Sequence, residues 1–387
     1  MFYEALRWKQ MLVATAALVA APLLALAALP KQQQAIVQVS AGGPEVLQMQ
    51  TIPVLSPAPG QVLIRIFAAG VNPHDWKWRE QAEYVTRPTA LSPMVPGVDV
   101  AGVIAALGTG VSGFKLGEPV FGTIGEHSNK DGQLNGADAH FVVTDATNIA
   151  PKPKQLTYEE AAGLGLIAVS AGRAMEESRL RPGERLLITG AAGGVGSAAA
   201  QIAVARGAHV IGTASPQHFA FLQSLGVSEV VDYHDPDWIK RVGQVDAAFD
   251  TVGDPTAAMA IGAIKPGGGI FTTTNPHEVT PEEYAAAEAA GISCPDAPAP
   301  DSYGNMARSD MARKLSLSSV GVVQTRPPSP PGPFLQQVAE LVRTGKFTVH
   351  VDRTYPLAEV AQAQEYSHAR HTEGKIILIV TDQAKSR

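Results

Sequence analysis

Between Gln61 and Phe67 the chain reads QVLIRIF, in which Val62, Ile64 and Ile66 recur with a period of two. That period predicts a strand with one buried face. DVAGVIAALG (99–108), EPVFGT (118–123) and AHFVVTD (139–145) continue in the same style, short and broken by Gly and Pro, so residues from Gln34 to about Ala150 read as an antiparallel, barrel-like β domain. After Pro151 the rhythm changes. Thr157 followed by Glu160 forms a capping-box pattern that opens a predicted helix over 159–176. Strands RLLIT (185–189), HVIGTA (209–214), EVVDY (229–233), DAAFDTV (246–252) and GIFTTT (269–274) then alternate with helices at 193–207, 219–226, 238–243 and 256–265. Short apolar strands alternating with helices predict a parallel sheet covered on both faces, the doubly wound arrangement. Residues 281–310 are rich in Ala, Pro and Asp and read as an irregular excursion over a site. The tail from Pro333 holds an amphipathic helix (334–345) and a last strand, KIILIV (375–380).

Composition narrows the function. The 387 residues are 45 % hydrophobic, enough for real cores and against simple disorder. Only 17 % are charged and the net charge is −6, which gives no field for gripping a nucleic acid. The single cysteine, Cys294, excludes an internal disulfide and a Cys-rich zinc site. His74, His127 and His140 fall in the β domain, but none pairs with a second His at helical metal spacing, so they read as surface or hydrogen-bonded histidines and no metal is expected. No G-x-S-x-G follows a strand, which disfavours a serine hydrolase.

The N-terminus carries a different signal. Residues 11–29 are free of charge and follow Arg7 and Lys9, long enough for a secretory core or a marginal membrane span. Ala25-Leu26-Ala27 offers a small-x-small cleavage site, so a cleaved signal and an uncleaved anchor both stand. The basic flank predicts an exported bulk of the chain; a tethered chain facing the cytosol is the alternative.

The chemistry lies after RLLIT. Gly190, Gly193 and Gly196 form G-x-x-G-x-x-G between a predicted strand and helix, where backbone N–H groups and a helix N-terminus meet a pyrophosphate. An NAD site places an acidic residue at the end of the next strand to hold the ribose hydroxyls. No Asp or Glu occurs between Glu184 and Glu229, and the second strand runs into Ser215 and His218, so NADPH is the expected cofactor.

Taken together, AAGVNPHDWKWRE (68–80), PGVDVAGVI (96–104), ITGAAGGVGS (188–197), VVDY (230–233) and GKIIL (374–378) resemble the medium-chain dehydrogenase/reductase superfamily. Within it they resemble the zinc-independent, zeta-crystallin-like quinone oxidoreductases. Zinc-dependent members carry Gly-His-Glu where this chain has Gly97-Val98-Asp99. The resemblance implies an α/β architecture: residues 1–30 as signal or anchor, 31–155 as a GroES-like β-barrel catalytic domain, 156–325 as a Rossmann NADPH-binding domain, and 326–387 as a return to the catalytic domain. It implies reduction of a quinone or of a carbon–carbon double bond conjugated to a carbonyl, and a homodimer. By residue, Gly193, Gly194 and Val195 would hold the pyrophosphate, and Ser215 and Tyr233 would reach the 2′-phosphate, with His218 standing where relatives often carry Lys. Asn72 and Tyr84 would face nicotinamide and substrate as amide and hydroxyl donors. Thr251, Val252 and Thr273 stand at carboxyl ends of strands, where an open parallel sheet binds its ligand. A non-catalytic NADPH-binding or structural protein of the same fold is the competing expectation.

Overall fold

Strand and helix assignments come from a computed structural model that describes residues 29–80, 94–124, 134–253, 256–273, 321–324, 330–369 and 372–381. Residues 11–28 of the apolar run, Tyr84, His127, the 281–310 excursion and Cys294 lie outside the described residues. No helix among the described residues is long and apolar enough to cross a membrane.

A first, mainly antiparallel sheet is built on β3 (Gln61–Val71). Around it stand β4 (Asp99–Leu107), β5 (Pro119–Thr123), β6 (Phe141–Asp145) and β7 (Ile149–Pro151). β3 pairs with β4 along one edge; on the other it takes β6 at residues 61–65 and β15 (Lys375–Ile379) at 68–71. Register shifts between Leu63 and Ile64 and between Ile66 and Ala68 interrupt the β3–β4 ladder, and such bulges bend a strand, so the sheet curls around its own core. Val62, Ile64 and Ile66 are fully buried in that core, as their period demanded. Two strands ahead of it, β1 (Gln32–Gln38) and β2 (Leu47–Pro53), form an antiparallel pair that the sequence pattern did not predict. α1 (Pro73–Glu80) follows β3 directly.

The capping box is present: Thr157 Oγ1 accepts the Glu160 N–H and the Glu160 carboxylate accepts the Thr157 N–H. The helix it opens is not continuous, however. α2 (Tyr158–Ala162) stops at Gly163, and α3 (Gly165–Glu177) starts afresh where Asp99 Oδ1 accepts the Leu166 N–H at 2.6 Å. A carboxylate reaching in from β4 thus supplies a helix start that no local pattern shows.

The second sheet has the order β10-β9-β8-β11-β12-β13, all parallel. Its strands are β8 (Arg185–Thr189), β9 (His209–Ala214), β10 (Glu229–Asp232), β11 (Val245–Asp250), β12 (Ile264–Thr272) and β13 (Gly321–Gln324). α4 (Gly194–Ala205), α5 (Phe219–Ser224), α6 (Trp238–Val242) and α7 (Thr256–Ile261) connect them. Side chains alternate between faces: Leu186, Ile188 and Val210 pack with Ala168, Ala199 and Ile202, whereas Leu187 and Ile211 pack with Trp238, Val242 and Ala260. The helix predicted over 256–265 ends at Ile261, and β12 begins five residues before the predicted Gly269, at Ile264. α8 (Gly332–Arg343) buries Phe334, Leu335, Val338 and Val342 on one stripe. β14 (Val351–Pro356), α9 (Val360–His368) and β15 return the chain to the first sheet, with β14 parallel to β15.

Candidate active site

The turn from β8 into α4 makes a bare main-chain cradle. Gly190 has φ +63°, the left-handed region that a side chain resists, and a Cβ on Gly196 would lie 2.3 Å from the Gly190 carbonyl oxygen. The N–H groups of Gly194, Val195 and Gly196 open a twelve-residue helix and have no acceptor within it. They suit a pyrophosphate. β8 lies between β9 and β11, so the chain order reverses beside this turn, which is where an open parallel sheet forms its ligand crevice.

Thr251, Val252 and Thr273 stand along the same edge. Thr251 Oγ1 donates to the Thr189 carbonyl at 2.8 Å, Val252 is exposed, and the Thr273 N–H donates to the Asp250 carbonyl at 3.2 Å. Asp250, buried beneath them, accepts Thr189 Oγ1 at 2.5 Å and the Gly253 N–H at 3.0 Å. Burial raises its carboxyl above the ordinary range, and these hydrogen bonds oppose the rise. It ties the ends of β8, β11 and β12 into one polar floor.

At the end of β9, Ser215 Oγ donates to Tyr233 Oη at 3.1 Å, and Tyr233 stacks on His234 with ring centroids 4.1 Å apart. His218 occupies the turn after Ser215, its N–H on the Ser215 carbonyl at 2.9 Å. Its Nδ1 lies 2.5 Å from Glu373 Oε2, and the other Glu373 oxygen lies 3.2 Å from His350 Nε2. The next residue, Gly374, donates its N–H to the Ala192 carbonyl at 3.0 Å, inside the glycine turn.

Asn72, 2 % exposed, sits where the ends of β3, β4 and β15 meet. Lys375 Nζ donates to Asn72 Oδ1 at 2.6 Å and to the Val71 carbonyl at 3.0 Å, and lies 3.4 Å from Asp99 Oδ2. Asn72 Nδ2 donates to Asp99 Oδ2 at 3.0 Å and, more loosely, to the Gly70 carbonyl at 3.4 Å. The Asn72 N–H meets Asp75 Oδ2 at 2.8 Å, and Asp75 Oδ1 lies 3.0 Å from His74 Nδ1. Burial raises the Asp99 carboxyl, with Lys375 as the main opposing influence. Asp138, also buried and in the field of Asp75, is pushed well above the usual carboxylate range, burial being the larger cause.

Of the sequence-predicted residues, the structure thus gathers Gly190, Gly193, Gly194, Val195, Gly196, Thr251, Val252 and Thr273 at one edge of the parallel sheet, and Ser215, His218 and Tyr233 at its neighbouring strands. Asn72 reaches the cradle through Lys375, whose Cδ would be 3.0 Å from a Cβ on Gly194. Among the described residues no group of three His, Cys, Asp or Glu is placed to hold a metal ion. His74 is part-buried beside Asp75, and burial, aided by Arg65, lowers the His140 imidazole below its usual range.

Comparison with known proteins agrees with this geometry. Residues 58–154 match the alcohol dehydrogenase GroES-like domain, and residues 225–378 match the family model titled zinc-binding dehydrogenase. Mouse quinone oxidoreductase is 30 % identical over 357 residues, covering 88 % of this chain and 95 % of its own length. The chain belongs to the quinone oxidoreductase branch of the medium-chain dehydrogenase/reductase superfamily. The chloroplastic NADPH-dependent alkenal/one oxidoreductase of Arabidopsis thaliana is 28 % identical, covering 91 % of this chain and 81 % of its own. The structure of the quinone oxidoreductase from Coxiella burnetii superposes with a TM-score of 0.75 at 25 % identity, covering 91 % of this chain and all of that one.

Within this quinone oxidoreductase scaffold, sequence reasoning passed over Asp99, Lys375 and Glu373. Asp99 and Lys375 lie inside the PGVDVAGVI and GKIIL stretches and were visible as motif members, but nothing local says that their side chains meet across 276 residues.

Proposed function

We propose that this chain is an NADPH-dependent oxidoreductase that reduces a quinone or an alkene conjugated to a carbonyl without a metal. One observation carries the reading: the segment Gly374–Lys375 touches the glycine turn with its backbone and clamps Asn72 with its side chain, so cofactor cradle and candidate catalytic amide are neighbours. The cradle fits the cofactor, because three helix-opening N–H groups face a turn too tight for any Cβ at Gly196. Gly194, Val195 and Gly196 would hold the pyrophosphate; Ser215, Tyr233 and His218 the 2′-phosphate; Thr251, Val252 and Thr273 would line the crevice. NADPH, when bound, supplies the hydride. The protein aligns the acceptor, excludes water and polarises the acceptor oxygen. Asn72 suits that last role through the Nδ2 hydrogen whose present contact with Gly70 is long, while its other hydrogen and its oxygen stay anchored by Asp99 and Lys375. Tyr84 is the second donor in this reading, and the proton comes from its hydroxyl or from solvent.

The test is oxidation of NADPH and NADH by the full chain with quinones, enones and simple aldehydes. Quinone or enone turnover is expected; turnover of aldehydes alone overturns the substrate class, and tight NADPH binding with no turnover by any acceptor supports the non-catalytic alternative. Asn72→Ala is expected to lower kcat by about 10²-fold while leaving the NADPH Kd nearly unchanged. Unchanged turnover removes Asn72 from the mechanism.

The uncharged run at 11–29 behind Arg7 and Lys9 supports a leader or anchor that places the enzyme in or across a membrane. Recovery of the intact full-length chain in the soluble fraction, with none in washed membranes and no shortened mature form, refutes it.

A further inference from the structure

The absence of an acidic residue near the end of β9 argued for NADPH, yet folding brings one there from 155 residues away. Glu373 lies between two parts of the proposed cofactor site. On one side its neighbour Gly374 pairs with Gly193 and donates to the Ala192 carbonyl; on the other its Oε2 is 2.5 Å from His218 Nδ1. Its second oxygen is 3.2 Å from His350 Nε2, so the carboxylate is clasped from both sides and held in place. The Glu373 side chain remains 23 % exposed beside these two parts. His218 lies three residues after Ser215, and its Nδ1 is committed to Glu373; His234, which stacks on Tyr233, has its own Nδ1 2.7 Å from Asp232 Oδ1. A 2′-phosphate arriving there meets an imidazole already paired with a carboxylate.

We propose that Glu373 is a specificity-determining residue: its carboxylate, fixed between His218 and His350 beside the glycine turn, opposes the 2′-phosphate of NADPH and narrows the preference for NADPH over NADH. The inference rests on the proposed cofactor reading and deepens it. An acidic residue at this place acts on the two cofactors unequally, because they differ only in a phosphate that carries about two negative charges at neutral pH, while the rest of the molecule is shared. The field of one carboxylate at a partly exposed site is also sensitive to salt.

The experiment is fluorescence titration of the full chain with NADPH and with NADH, for the wild type and Glu373→Gln, at low and high ionic strength. Glutamine keeps a hydrogen-bonding partner for His218 and removes the charge. The NADPH Kd is expected to fall by about 3–10-fold and the NADH Kd to move by no more than about 2-fold, with the difference shrinking in high salt. The ratio of the two constants is the readout, so a partly unfolded sample, which weakens both alike, leaves it untouched. Glu373→Lys is expected to shift the ratio further in the same direction. A ratio that stays put in both variants, or that moves toward NADH, overturns the proposal. A wild-type chain that binds neither nucleotide instead removes the cofactor reading itself, and the two failures are thereby distinct.

Discussion

Lys375→Met is expected to cost about 3–5 kcal/mol of folding stability at neutral pH, measured by urea unfolding, and to abolish oxidoreductase turnover. Lys375 and Asp99 are 4 % and 0 % exposed, and no solvent can replace the lost cation. Asp99 would remain buried with the Asn72 amide and the Leu166 N–H as its partners. The pH dependence follows from the sign of its shift. Burial already raises the Asp99 carboxyl in the folded state and Lys375 opposes that rise, so the variant raises it further. A group whose pKa is raised on folding stabilises below its unfolded pKa and loses that contribution as pH climbs through the folded one. The deficit should therefore be smaller in acid, where Asp99 is neutral, and grow toward neutral pH. In an Asp99→Asn background the same lysine replacement should cost much less, since no buried carboxylate is then left without its cation. A deficit that is equal in both backgrounds would show that Lys375 acts through packing alone.

The pair also shows which parts of this protein the sequence makes legible. The strands 185–189 and 209–214 are read to the residue, because a parallel sheet buried on both faces demands short continuous apolar runs, and glycines spaced this way between a strand and a helix mark the turn that follows the first of them. The capping box at Thr157 is equally plain, being a contact over three residues. What fails is whatever depends on distant segments. The break between α2 and α3 falls at Gly163 and Gly165, which weaken a helix, but nothing local shows that a carboxylate from far upstream, Asp99, meets the restarted helix at Leu166. β14 and α9 carry no strong alternation or stripe, and they exist because β15 and α1 offer surfaces to cover: Trp76 Nε1 donates to Ser367 Oγ at 3.2 Å and Arg79 Nη1 to Gln364 Oε1 at 2.6 Å. At the site the division is the same. The cradle is local, whereas the carboxylate beside His218 arrives from the C-terminal tail, beyond the reach of any reading of the residues around β9.

Gly193→Asp is expected to leave the fold intact and weaken NADPH binding by about 10²–10³-fold. Gly193 is the N-cap of α4, with φ −71° and ψ 171°, extended backbone that any residue adopts. A Cβ there would meet only the Gly190 carbonyl oxygen, at 3.4 Å, which is ordinary contact. Aspartate is among the best N-cap residues, and its charge is favourable at a helix N-terminus, so thermal stability should hold or rise by up to about 1 kcal/mol. The same carboxylate competes for the N–H groups of Gly194 to Gly196 and repels the pyrophosphate, at about 4 kcal/mol per unit charge pair in contact near a protein surface. Gly196→Ala cannot separate these effects, because its Cβ would strike the Gly190 carbonyl at 2.3 Å and disturb the turn itself. The aspartate variant divides them cleanly: a chain that melts at or above the wild-type temperature yet no longer quenches or enhances nucleotide fluorescence locates the pyrophosphate at this helix, and one that melts normally and binds NADPH within about 3-fold of the wild type places the coenzyme elsewhere.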